Sequence, residues 1–135
     1  GERCSLMHAA AESERTDVIR WLAARGADVN ARGGYDDATP LHASAWGDRV
    51  ASIGALVDVG ADINAVSGSM HRNQPIGWAI VGGSAGAFRV LRERGAKIHP
   101  WHLEDAARGA KGEFKLYNAK RPLAAWGEIA RQLGV

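Results

Sequence analysis

The chain has 135 residues, 46% of them apolar, and a formal net charge of +2. A single cysteine, Cys4, excludes a disulfide framework and a cysteine-rich metal cluster, and no apolar run approaches the roughly 20 residues of a membrane-spanning helix. The charge is unevenly spread: residues 1 to 70 hold six Lys/Arg against ten Asp/Glu, net −4, and residues 71 to 135 hold eleven against five, net +6.

In chain order, Leu6 to Ala11 reads as a first helix, with Ala9, Ala10 and Ala11 small enough for a close neighbour. Glu12 to Thr16 is a turn, and Asp17 to Arg25 a second helix whose Val18, Ile19, Trp21 and Leu22 form an apolar face. Residues 31 to 38 are turn chemistry throughout. Gly33 and Gly34 can take the positive φ of a tight hairpin, which leaves Tyr35 and Asp36 near its tip.

Thr39 is a hydroxyl N-cap and Pro40 occupies the first helical position, where a missing N–H costs nothing. The apolar run from Ile53 to Val59 ends at Gly60, a residue free to enter the left-handed region. Ser52 and Gly54 interrupt that run, and glycine in a helix costs about 0.5–1 kcal/mol relative to alanine. Residues 65 to 73 form a second connecting loop, and Pro75 starts a helix through Trp78-Ala79-Ile80-Val81. After the glycine-rich stretch from Gly82 to Gly86, a helix from about Ala87 to Arg94 turns Phe88 and Leu91 inward. Pro100 begins a helix over Trp101 to Arg108, Gly109 to Lys120 reads as a polar, Lys-rich connection, and Leu123 to Leu133 forms the last helix. In that helix Leu123, Trp126, Ile129, Ala130 and Leu133 share one face. Trp21, Trp101 and Trp126 are expected in the core.

One pattern recurs along this order. Ser5-Leu6-Met7-His8 leads to Gly26-Ala27-Asp28-Val29-Asn30, Thr39-Pro40-Leu41-His42 to Gly60-Ala61-Asp62-Ile63-Asn64, and Gln74-Pro75-Ile76-Gly77 to Gly95-Ala96-Lys97-Ile98-His99. The His and Gly positions repeat after 34 residues and then after 35, and lie 18 apart within each copy. This motif resembles the ankyrin repeat, a turn and two antiparallel helices per unit. The resemblance covers residues 4 to 99 and implies an all-α solenoid of about four helix-turn-helix units with short β-hairpin-like loops. A single domain, 1–135, then divides at about 1–32, 33–66 and 67–99, with a divergent C-terminal cap over 100–135 that matches no family motif.

The resemblance gives His8 and His42 a structural role, a local hydrogen bond that steadies the turn, which the third unit forgoes at Gly77. It also implies that hairpin tips and the residues after the inner-helix alanines face a concave groove where partners bind. Those slots are Glu12 and Ser13, Trp46 and Gly47, and Val81 and Gly82. The expected partner-binding residues are Tyr35, Asp36, Trp46, Met70, His71 and Val81. Trp46 leads them because Trp is enriched at binding hot spots; packing under Met70 against the 66–73 loop is its other reading. Trp78, one slot nearer the junction between units, reads as structural.

His99 and His102 are three apart, a spacing seen in metal sites, but Pro100 breaks the helix between them and Cys4 is remote. No nucleophile elbow, phosphate-binding glycine loop or H-E-x-x-H motif is present. Catalytic residues, metal and cofactor are therefore all expected to be none. The expected function is non-catalytic protein binding by a monomer in the cytoplasm. The alternatives are a binder of nucleic acid or an acidic partner, or a scaffold segment of a longer protein. The first would use the basic tract Lys111, Lys115, Lys120 and Arg121, with Phe114 and Tyr117 interleaved.

Overall fold

The structure, a computed structural model, describes residues 5–68 and 74–135. These form eight α-helices: α1 Leu6–Glu12, α2 Thr16–Ala24, α3 Pro40–Trp46, α4 Val50–Asp58, α5 Pro75–Gly82, α6 Ala85–Glu93, α7 Pro100–Ala110 and α8 Leu123–Leu133. Successive helices pair, the odd-numbered ones stacking in one row and the even-numbered ones in another. Met7, Ile19, Leu41, Ile53, Leu56, Ile76, Ile80, Phe88, Leu91 and Ile129 are buried between the rows. The architecture is an all-α helical solenoid, and the only strand pairing among the described residues is one antiparallel bridge from Gly33 to Ala38.

Each helix is too short to persist alone in water, so its ends need partners. Ser5 and Thr39 cap α1 and α3, their side chains accepting the His8 and His42 backbone N–H groups. The imidazoles close the box from the other side. His8 Nδ1 accepts the Ser5 N–H at 3.2 Å and His42 Nδ1 the Thr39 N–H at 3.2 Å. With Nδ1 accepting, Nε2 of His8 carries the proton and donates to the Ala38 carbonyl at 2.8 Å, which fastens the first unit to the second. The same box closes at α7, where His102 Nδ1 accepts the His99 N–H at 3.0 Å. The last helix pair therefore keeps a motif that the sequence reading denied it. Its histidines meet as cap and helix residue.

The carbonyls at the far ends of the inner helices are satisfied by the following unit. Ser52 Oγ donates to Ala11 O at 2.5 Å, Ser84 Oγ to Trp46 O at 2.9 Å and Trp126 Nε1 to Val81 O at 3.0 Å. Ser52 is thus the helix-to-helix tie rather than an irregularity; nothing in the structure requires glycine at 54. A second ladder follows the Gly-Ala-Asp stops, with Asn30 Oδ1 accepting the Asp62 N–H at 2.7 Å and Asn64 Oδ1 the Lys97 N–H at 2.9 Å.

Several expectations are corrected. Trp21 is not in the core but 53% exposed, with the Arg25 guanidinium 3.8 Å above its ring. It lies roughly 100° around α2 from the middle of the Val18, Ile19 and Leu22 face. Trp101 is only half-buried and stacks on His99 with ring centroids 4.1 Å apart. Leu123 is 47% exposed, since it sits in the first turn of α8 with Gly112 as its cover. Residues 109–120 are not simply a connection: α7 runs on to Ala110, and Lys115–Asn118 adds a 3-10 turn. Gly109 must be glycine there, because a Cβ would come within 2.6 Å of Trp126. Gly83, at φ +70, has a second reason to be glycine, with Trp126 at the same 2.6 Å.

On the outer surface Asp58 of α4 joins Arg94 at 2.7 Å and Arg20 of α2 at 3.5 Å. The Arg94 hydrogen bond, aided by both positive charges and opposed by partial desolvation, holds the Asp58 carboxyl below its ordinary pKa. A depressed folded-state pKa gives stability that is complete above the unfolded value and is lost as pH falls through the folded one. Asp58→Asn therefore lowers the melting temperature at neutral pH, and its gap from the parent closes as the pH drops below about 4. Ser52→Ala, which leaves the Ala11 carbonyl only the local Glu14 N–H at 3.2 Å, costs about 0.5–1.5 kcal/mol in urea unfolding.

Candidate functional site

Three aromatic rings meet where α3, α5 and the 31–38 loop come together. The loop closes through the Gly33 N–H to Ala38 O bond at 3.0 Å, and Asp36 and Asp37 both take positive φ inside it, at +51 and +53. That turn holds Tyr35 outward, 79% exposed. α3 ends at Trp46, and α5 presents Trp78 in its first turn. Trp78 is central: its ring lies 5.2 Å from that of His42, 6.1 Å from Tyr35 and 6.5 Å from Trp46, all in edge-on geometry. Gly82 lets Trp46 lie flat against α5, since a Cβ there would be 3.0 Å from the indole.

The rings border a concavity of about 180 Å³ lined by His8, Glu12, Gly33, Gly34, Tyr35, Ala38, Ala43, Trp46 and Trp78. Small-molecule pockets usually span roughly 300–1,000 Å³. This one is sized for a single side chain.

Of the residues expected to bind a partner, the structure brings Tyr35 and Trp46 together. Asp36 is half-buried, its carboxylate accepting the Ser67 hydroxyl at 3.1 Å, with Gly68 pressed against it. Val81 does not line the concavity, and its carbonyl accepts the Trp126 indole N–H. Met70 and His71 lie outside the described residues, as do residues 69, 72 and 73 of the loop expected to cover Trp46. Trp78, read from the sequence as structural, packs against the core and His42 and also lines the concavity. In repeat register it occupies the slot of Ala9 and Ala43, and a ring where sister units carry a methyl group was the available signal.

Two members of the basic tract, Lys115 and Arg121, and the neighbouring Arg108 are engaged within the chain. Arg108 pairs with Glu113 at 2.7 Å, which raises its pKa further, and lies over the ring of buried Phe114. Lys115 Nζ donates to the carbonyls of Ala119 and Arg121. Arg121 reaches Asp48 at 3.6 Å and Ser84 Oγ at 3.3 Å.

Residues 7–57 match the family model for ankyrin repeats in many copies. The human ASB11 ankyrin repeat domain superposes on 98% of the chain with a TM-score of 0.68 and 29% identity. Residues 7–57 thus carry ankyrin repeats, and the whole chain shares the fold of an ankyrin-repeat domain. It spans 55% of the ASB11 domain's length. The NF-kappa-B inhibitor cactus of Drosophila yakuba and that of Drosophila melanogaster are each 51% identical to it over 41 residues, which is 30% of the chain and 8% of either relative. Ankyrin repeats are protein-interaction modules, and no helix among the described residues is long and apolar enough to cross a membrane.

The two kinds of ring in this ankyrin groove carry different loads. Tyr35→Ala changes folding stability by less than about 0.5 kcal/mol, as for other exposed positions, whereas Trp78→Ala, which strips the shared contact from three rings, costs about 1–3 kcal/mol in denaturant unfolding.

Proposed function

We propose that the whole chain, 1–135, acts as one non-catalytic domain that binds a protein partner in the groove between α3, α5 and the 31–38 loop. In this reading it works as a monomer in the cytoplasm, and its units divide at about 32, 66 and 99. The observation that carries the reading is the cluster of Tyr35, Trp46 and Trp78 around one concavity. Large aromatic rings left at a water boundary repay their exposure when a partner covers them, and Trp and Tyr dominate interface hot spots. The ankyrin repeats support a protein as the ligand class. The relatives named for inhibiting NF-kappa-B support it too, although an identity confined to 41 residues does not carry that particular partner over. The basic C-terminal half favours nucleic acid less, because Arg108, Lys115 and Arg121 already have intramolecular partners and Phe114 is buried.

The test is affinity capture of a partner by the intact protein, followed by a measured dissociation constant for parent and variants. Trp46→Ala is expected to weaken binding about thirty-fold or more, the scale of a hot-spot truncation of about 2 kcal/mol. Unchanged affinity for every captured partner would sink the groove reading.

A further inference from the structure

The groove has an internal imbalance: ring faces are plentiful and hydrogen-bond acceptors are scarce. Trp78 stands at 84° to Trp46 and 69° to Tyr35; Trp46 backs onto Gly82 and both indoles are half-buried, while the Tyr35 ring stands 79% exposed beside them. The acceptors nearby are mostly taken. His8 Nδ1 accepts from Ser5, and the Ala38 carbonyl already accepts both the Gly33 N–H and His8 Nε2–H. One charge remains. Glu12 lines the same concavity, and its side chain makes no hydrogen bond or ion pair among the described residues. All of the lining except Trp78 comes from residues 1 to 70, which are acidic, net −4.

A cation suits such a place if it brings few N–H donors. The electron-rich faces of Trp and Tyr attract positive charge. An unmodified lysine would need acceptors for three N–H groups and an arginine for five, and Glu12 alone cannot meet that demand in a recess of about 180 Å³. A quaternary ammonium has no N–H to satisfy, and its methyl groups fit against the rings.

We propose that Tyr35, Trp46 and Trp78, with Glu12 at the rim, form a seat for the quaternary ammonium of an Nε-trimethylated lysine on the protein partner. This rests on the groove being the partner-binding surface and specifies which side chain enters it.

The test uses the intact chain and two small probes, N-acetyl-trimethyllysine methylamide and its neutral isostere with carbon in place of nitrogen. Binding is followed through the indole N–H resonances of Trp46 and Trp78. The cationic probe is expected to bind about three- to thirty-fold more tightly than the isostere. Glu12→Gln, an exposed position that leaves the fold intact, lowers the cation's affinity about two- to five-fold and narrows the gap between the probes. Equal affinity for the two probes would overturn the cation seat while leaving an apolar partner groove standing. No saturable shift with either probe, or a Glu12→Gln protein that binds the cation as tightly as the parent, would overturn it as well. Failure of the groove itself is read separately, from partner affinity in the Trp46→Ala protein.

Discussion

Every unit depends on its neighbour to satisfy backbone groups that its own short helices leave open. An α-helix ends with carbonyls that have no intrahelical acceptor role to fill, and helices of seven to nine residues have proportionally many of them. In this chain the carbonyls of Ala11, Trp46 and Val81 receive donors from Ser52, Ser84 and Trp126, each from the next helix pair along. The opposite ends are served the same way. α6 has no side-chain cap of its own, and Asp48 from the preceding pair accepts the Ala87 N–H at 2.7 Å. Folding of one pair is thereby coupled to the next, the behaviour expected of a stacked repeat.

This coupling decides which surfaces are free to vary. The donors differ in kind, two serines and an indole, yet they act at equivalent places, so geometry is held while side-chain identity drifts. At the last junction the indole needs far more room than a hydroxyl, and the chain provides it by having glycine at 83 and 109. The groove's rings carry no obligatory backbone partner, so their contacts are made with one another.

Local signals were the legible ones. Pro40 and Thr39 announce a helix start because capping is settled within four residues, and Gly26, Gly60 and Gly95, all at positive φ, announce the stops. The inward faces of α6 and most of α8 followed from spacing, with Phe88, Leu91, Trp126 and Ile129 buried. Periodicity located the face of α2 but not its edge, and Trp21 fell beyond that edge. Ser52 could not be read because its partner is 41 residues away. The box at His99 and His102 was hidden by register: His102 follows Gly95 by 7 residues, whereas His42 follows Gly26 by 16. Of the groove, Tyr35 and Trp46 were legible from family slots. Trp78 was legible only as a structural residue, since its place on the concavity depends on rings contributed by two other elements.

The third unit shows how frame and groove trade against each other. It lacks the imidazole that α1, α3 and α7 carry, having the buried Gly77 in that slot, and Gln74 gives α5 no side-chain cap. The ring packed against His42 comes instead from Trp78, one residue on. By itself such a unit should be the weakest of the row. It is held from both directions, because Ser84 and Trp126 tie its ends and capped helices flank it on either side. A stack can tolerate a locally under-capped helix when its neighbours are sound.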